Sequence, residues 1–214
     1  MLDDCPIAQE RAAVQRLVSV PDQGESARTI LLRRGARPED LDDVLPIISA
    51  KTPSTLEEVL DDAFRPRLDT NPPYREGRFG DGSFAVYYSA LEEDTCKKEI
   101  AYHLREQAKD LVEDPDPRAY RVIACRYDGI TVNLLGKESE HADLTSNTSA
   151  GYPYCQSLAH EAVARGHDGF LTASARKPDG TCVPVFKRTA LSEPRAGNGF
   201  LATIRGGRVQ FQAK

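Results

Sequence analysis

Gly77-Arg78-Phe79-Gly80-Asp81-Gly82-Ser83-Phe84-Ala85-Val86-Tyr87-Tyr88-Ser89-Ala90 is the stretch at which the texture of the chain changes. Arg65 to Ser83 holds three prolines, four arginines and three glycines with few aliphatics, which is loop composition. From Phe84 the residues are strand formers, and a strand over 84–90 is predicted with Phe84, Val86 and Tyr88 on one face and Tyr87 on the other. The period then becomes helical. Cys96, Ile100, Leu104, Ala108 and Leu111 recur on one side from about Asp94 to Leu111.

This loop–strand–helix run carries the chemistry. The glycines resemble a phosphate-cradling loop only superficially: no Gly-Lys-Ser/Thr follows, and a strand stands where a P-loop has a helix. What the loop presents is Arg78, whose planar fork suits a diphosphate; a solvated surface arginine is the plain alternative. Glu99 lies three residues after Cys96 and four before His103, beside the apolar stripe, where a carboxylate needs a partner. Arg105, His103 or a loop arginine would satisfy it structurally. Facing a cleft, it would instead stabilise positive charge developing at a sugar carbon. His103 reads as a partner of Glu99 and not as a metal ligand, because no second ligand is spaced for it. His141, His160 and His167 read as solvated. No Gly-x-Ser-x-Gly elbow occurs, and no cysteine sits in a protease context.

Outward from this centre the pattern is mixed. Residues 8–18 are predicted as a helix with Ala12, Val14, Leu17 and Val18 on one side, and Asp22 to Ser26 as a loop. Pro38-Glu39-Asp40 opens a short helix. Ser54 and Glu57 form an expected capping box ahead of the stripe Leu56, Val59, Leu60 and Phe64. Downstream, Tyr120–Tyr127 and Ile130–Leu135 flank Asp128-Gly129, a hairpin signal. Pro153 opens a helix through Ala164, and Gly166 is expected in a left-handed cap. Strands at Phe170–Ser174 and Val183–Lys187 surround a Lys177–Gly180 turn, and Gly206-Gly207 closes a hairpin between Leu201–Ile204 and Val209–Phe211. Helices early and a mixture later point to an α+β fold, with 1–62 as a helical N-terminal segment packed on a core over 63–214.

Composition narrows the function classes. At 214 residues, one compact unit is the default. Apolar residues are 40% and charged residues 29%, ordinary for a globular chain. No apolar run approaches the ~20 residues of a membrane span. The opening Met-Leu-Asp-Asp-Cys-Pro does not resemble an export signal, so a cytoplasmic location is expected. The net charge of −5 demotes direct nucleic-acid binding. Five scattered cysteines (Cys5, Cys96, Cys125, Cys155, Cys182) suit reduced, packed thiols better than a disulfide framework or a metal site.

Gly77 to Ala90, followed by Thr95, Glu99 and His103, resembles the signature of the RES domain, a family named for its arginine, glutamate and serine. Tyr88 to Glu99 meets the family's eleven-residue spacing. A third block, Asp168-Gly-Phe-Leu-Thr-Ala-Ser-Ala-Arg176, places the family serine at Ser174, with Pro184-Val-Phe186 as the following strand. The likeness covers about 63–190.

The resemblance implies a mixed β core like that of ADP-ribosyltransferases, flanked by helices, with the catalytic domain over 63–214. It implies a bacterial toxin that consumes NAD as substrate, by hydrolysis or phosphorolysis of the nicotinamide–ribose bond, without metal or further cofactor. A helix-turn-helix antitoxin is the implied partner. Arg78, Glu99 and Ser174 are the implied catalytic set. Arg78, Tyr88, Tyr87, His103 and either Arg65 or Arg67 are the implied NAD contacts. In that scheme Arg78 clamps the diphosphate, Glu99 stabilises the ribosyl cation and holds a ribose hydroxyl, and Tyr88 stacks on nicotinamide. Ser174 bonds the carboxamide or orients Glu99. A protein mono-ADP-ribosyltransferase using the same site is one alternative; a module that binds nucleotide or antitoxin without turnover is another. The chain departs from the family at Lys97-Lys98, where small apolar residues are usual. The family's first arginine has its nearest match in Phe64-Arg65-Pro-Arg67, while Tyr74-Arg75 has the same dipeptide form. Whether the chain forms a homo-oligomer is not written in it.

Overall fold

The computed structural model describes residues 1–20, 27–33, 35–51, 53, 55–111 and 114–214. Strand β1 (Ile7–Ser19) is followed by three helices, α1 (Ala27–Arg33), α2 (Leu41–Lys51) and α3 (Leu56–Ala63). Then come β2 (Tyr87–Ala90), α4 (Glu93–Ala108), the long β3 (Arg118–Asn133), α5 (Tyr152–Ala164), β4 (Gly169–Ala173) and β5 (Thr181–Val185). Strands β6 (Leu191–Arg205) and β7 (Arg208–Ala213) complete the sheet. The fold is α+β.

The sheet runs β1-β2-β5-β4-β3-β6-β7, and β1 also pairs with β3, so five strands close into a ring from which β6 and β7 extend as a ribbon. Among the described residues only β3 and β4 are parallel. The ring brings β2 and β4, distant in sequence, to either side of β5 and sets their connecting loops at one end.

Two sequence expectations are corrected here. Residues 8–18 are not a helix: Ile7–Ser19 pair antiparallel with Val132–Tyr120 over thirteen positions. Gln, Glu, Arg and Ala favour a helix locally, but the strand has an apolar partner on each face, and tertiary packing overrides propensity. Val14 packs with Tyr87, Tyr127 and the α3 stripe, while Leu17 packs with Cys96 and Leu104 of α4. Nor does Asp128-Gly129 turn the chain: β3 passes straight through it, with Asp128 opposite Arg11 and Gly129 opposite Glu10. Glycine serves there for clearance, since a Cβ at 129 would lie 2.8 Å from the Asp168 Cβ and 3.0 Å from the Tyr127 hydroxyl.

Other boundaries move less. The strand predicted over 84–90 pairs only from Tyr87, and α4 stops at Ala108, leaving Leu111 exposed. The capping box sits on Thr55 and Glu58, one residue past the expected pair; Ser54 itself, like the loop predicted at Asp22–Ser26, lies outside the described residues. Pro38–Asp40 forms a 3-10 turn that leads into α2. Helix α5 ends in a Schellman motif, with Gly166 at φ 83°, the His167 amide donating to the Ala162 carbonyl and the Gly166 amide to that of Val163. Gly206 and Gly207, at φ 52° and 73°, close the predicted hairpin. Among the described residues no helix is long and apolar enough to cross a membrane.

Candidate functional site

Ser174 follows the last residue of β4, where its own amide donates to the Gly180 carbonyl at 2.8 Å and the Lys177–Gly180 turn begins. The turn approaches α4 closely: a Cβ on Gly180 would lie 2.7 Å from the Thr95 hydroxyl. Thr95 in turn donates to Glu92 at 2.6 Å, and the same carboxylate accepts the Thr181 amide at 3.2 Å. The start of α4 is thereby tied to the start of β5, and Glu99 is carried to Ser174.

Ser174 is buried, and its hydroxyl oxygen accepts the amides of Arg176 and Lys177, each at 3.1 Å. Both acceptor positions are filled, so its single proton is directed outward. It goes to Glu99 Oε1 at 2.6 Å. The thiol of Cys182 approaches the same oxygen at 3.7 Å. Burial, reinforced by the Glu99 charge, pushes the Cys182 thiol far up, so it stays protonated beside the carboxylate. Glu99 Oε2 has no protein partner among the described residues. Of the structural partners expected for Glu99, none is its hydrogen-bonding mate; the mate is Ser174.

Arg78 sits in a tight loop in which the Gly77 amide donates to the Gly80 carbonyl at 2.8 Å. Phe79, next to it, is buried edge-on against Phe170, which pins the loop. Its amide donates to the Tyr88 hydroxyl at 3.0 Å, and a Cβ on Gly77 would come within 2.6 Å of that oxygen. Loss of solvent around the hydroxyl raises the Tyr88 pKa well above that of an ordinary tyrosine, while 36% of the residue's surface stays accessible. The Arg78 guanidinium donates to the carbonyls of Asp143 (3.0 Å) and Ser146 (2.7 Å) and lies 5.2 Å from the Tyr152 ring centre.

The same 143–148 segment reaches the serine side. Asn147 accepts from Arg176 through its side chain at 2.6 Å and from the Tyr102 hydroxyl through its carbonyl at 3.2 Å, and the Arg176 guanidinium stacks 3.5 Å from the Tyr102 ring centre. His103, next on α4, sets its ring edge-on to that of Tyr102 at 5.5 Å. Loss of solvent lowers its pKa below the usual 6.5, the Glu99 charge opposes this, and the Arg176 and Arg78 charges add to it. A cleft of about 510 Å³ opens beside Ser174, walled by Thr145, Arg176, Lys177 and Glu138; Arg78, Tyr88 and Glu99 are not among its walls.

The remaining predicted residues are placed differently. Tyr87 is 1% exposed, packed between Phe64 and the Arg16 guanidinium, so its ring belongs to the core and presents no face to a ligand. Arg65 is exposed and paired with Asp62 at 3.3 Å. Arg67 is exposed at the base of the 67–73 loop, its amide bonded to the Pro73 carbonyl. The other histidines are not simply solvated: His141 bonds and stacks on Tyr154, His160 meets Asp81 at 2.9 Å, and His167 Nε2 is buried without a partner. Four cysteines are buried within the three apolar clusters and Cys182 is half-buried, all as free thiols. Sequence reading missed Cys182, Tyr102 and Arg16. Tyr102 stands on a helix it recognised, Cys182 one residue before an expected strand, and Arg16 on a strand it took for a helix.

Fold and site together define an α+β protein in which one carboxylate is held by a serine proton and a loop arginine is held by the 143–148 segment that also reaches the serine side. A family model described as the RES domain matches residues 52–204, and the chain belongs to that family. The family is associated with toxin–antitoxin systems and with NAD. No curated protein matches the chain.

Proposed function

We propose that the chain is a toxin that depletes NAD by cleaving the nicotinamide–ribose bond, and that a cognate antitoxin blocks it. The observation that carries this reading is the 2.6 Å hydrogen bond from Ser174 to Glu99 Oε1. It fixes one carboxylate oxygen and leaves Oε2 without a protein partner, a suitable arrangement for holding a ribose hydroxyl.

In the proposed reaction the glycosidic bond breaks heterolytically. Its electron pair leaves with nicotinamide, which departs neutral, and positive charge passes to the ribosyl C1. Glu99 stabilises that charge without becoming covalently attached, and water, losing a proton to solvent, or phosphate then attacks C1. Arg78 positions the diphosphate through the N–H groups not already given to the Asp143 and Ser146 carbonyls. The exposed part of the Tyr88 ring offers a stacking surface for nicotinamide, and its hydroxyl, raised in pKa, stays neutral there.

Nicotinamide release from NAD by the purified chain tests this. Glu99→Ala is expected to lower release by about 100-fold or more, in line with loss of an electrostatic stabiliser. Equal turnover in variant and parent would remove Glu99 from the mechanism. Label from NAD appearing on protein instead of in free ADP-ribose would redirect the reading to a transferase.

A further inference from the structure

Residues 143–148 lie outside the three sequence blocks, yet they set where Arg78 points. Its guanidinium donates to the Asp143 carbonyl at 3.0 Å and to that of Ser146 at 2.7 Å. The two carbonyls are secured differently. That of Asp143 also accepts the Cys155 thiol at 3.3 Å, and a Cβ on Gly151 would stand 2.8 Å from it, so α5 and the turn before it fix this oxygen without Arg78. Among the described residues Arg78 alone donates to the Ser146 carbonyl. The place of that oxygen depends on the next residue, Asn147.

Asn147 is held twice. Its carbonyl accepts the Tyr102 hydroxyl at 3.2 Å, and its side-chain oxygen accepts Arg176 Nη1 at 2.6 Å. Tyr102 stands three residues past Glu99 on α4, and Arg176 two past Ser174, whose hydroxyl accepts the Arg176 amide at 3.1 Å. The Arg176 guanidinium lies 3.5 Å from the Tyr102 ring centre, so the two donors brace each other. Arginine carries donors only, so it must meet the oxygen and not the nitrogen of the Asn147 amide. Through this clamp the loop arginine is registered against the two elements that carry the carboxylate and the serine.

We propose that Asn147 is a positioning residue for Arg78. It acts through the Ser146 carbonyl and needs no contact with substrate. Its effect on turnover rests on the reading of Arg78 as the group that holds a diphosphate; the clamp itself does not.

Phenylglyoxal, which modifies accessible guanidinium groups, tests the clamp without NAD. Peptide masses give the rate at Arg78 and, as an internal standard, at exposed Arg208. Asn147→Ala is expected to speed modification of Arg78 by about threefold to tenfold, the scale of one hydrogen bond to a charged group near the surface. Asn147→Asp keeps the oxygen that faces Arg176 and should stay within about twofold of the parent. Tyr102→Phe removes the other bond but keeps the ring against Arg176, and should move the rate in the same direction as Asn147→Ala. Asn147 is exposed, so its truncation spares the core; circular dichroism checks this, and Tyr102→Phe carries the test should Asn147→Ala fail to fold. In nicotinamide release Asn147→Ala should raise KM by a similar factor with kcat little changed, because a grip on the diphosphate acts alike in ground and transition states. Parent rates of Arg78 modification in the folded variants, or a fall in kcat at unchanged KM, would overturn the proposal. Faster Arg78 modification in a chain that releases no nicotinamide would leave the clamp standing and the NAD reading without support.

Discussion

A serine hydroxyl has one proton and two acceptor positions, and at Ser174 all three are assigned. The amides of Arg176 and Lys177 fill the acceptors, and the proton is directed to Glu99. Replacing this serine by alanine removes a charge-assisted bond and leaves two amides short of an acceptor. Urea unfolding of Ser174→Ala is therefore expected to show a loss of about 1–3 kcal/mol, largely recovered by Ser174→Thr. A change within about 0.5 kcal/mol would mean that the hydroxyl does not hold the carboxylate. The residues of this pair were legible from the blocks around Tyr88, Glu99 and Ser174. That they touch was not, because 75 positions separate them and no local rule pairs residues so far apart. Cys182 is the same case: its thiol is unremarkable in sequence and acquires a partner only when α4 is tied to the start of β5.

At the scale of elements, the most instructive position is Gly129. An Asp-Gly pair between apolar runs has the chemistry of a hairpin, yet β1 provides a partner long enough to keep β3 extended through it. The two interpretations predict opposite tolerances. At an exposed hairpin tip a side chain without space constraints would be limited only by φ; in the strand, Gly129→Val must displace Asp168 or Tyr127. We expect it to cost about 1–3 kcal/mol, read as a lowered urea midpoint at unchanged slope. A midpoint equal to that of the parent would contradict the clearance argument. Elements whose signals are local were read well: Pro153 at the start of α5, Gly166 at its end, and Gly206-Gly207 in the last hairpin each act through their own backbone. β1 was misread because its second half is covered on both faces. This erases the alternation that marks a half-buried strand and leaves helix-forming side chains as the main signal.

For the molecule as a whole, β1 closes the ring, and its removal unpairs thirteen positions of β3. Deleting residues 1–20 is expected to abolish cooperative unfolding and yield aggregated protein, since a long apolar strand would be left as an open edge. A soluble truncated chain with the parent's near-ultraviolet dichroism would show that the ring is dispensable. The sequence alone determined the α+β class, the cap at Gly166, the turn at Gly206-Gly207 and the three blocks from which membership in the RES family follows, because each rests on residues close together in the chain. Tertiary structure decided the rest: that Ile7–Ser19 is a strand, that Tyr87 is core while Tyr88 keeps an accessible surface, and that Ser174 meets Glu99. Strand partners and burial depend on what the distant chain brings alongside, and that energy is absent from any local window.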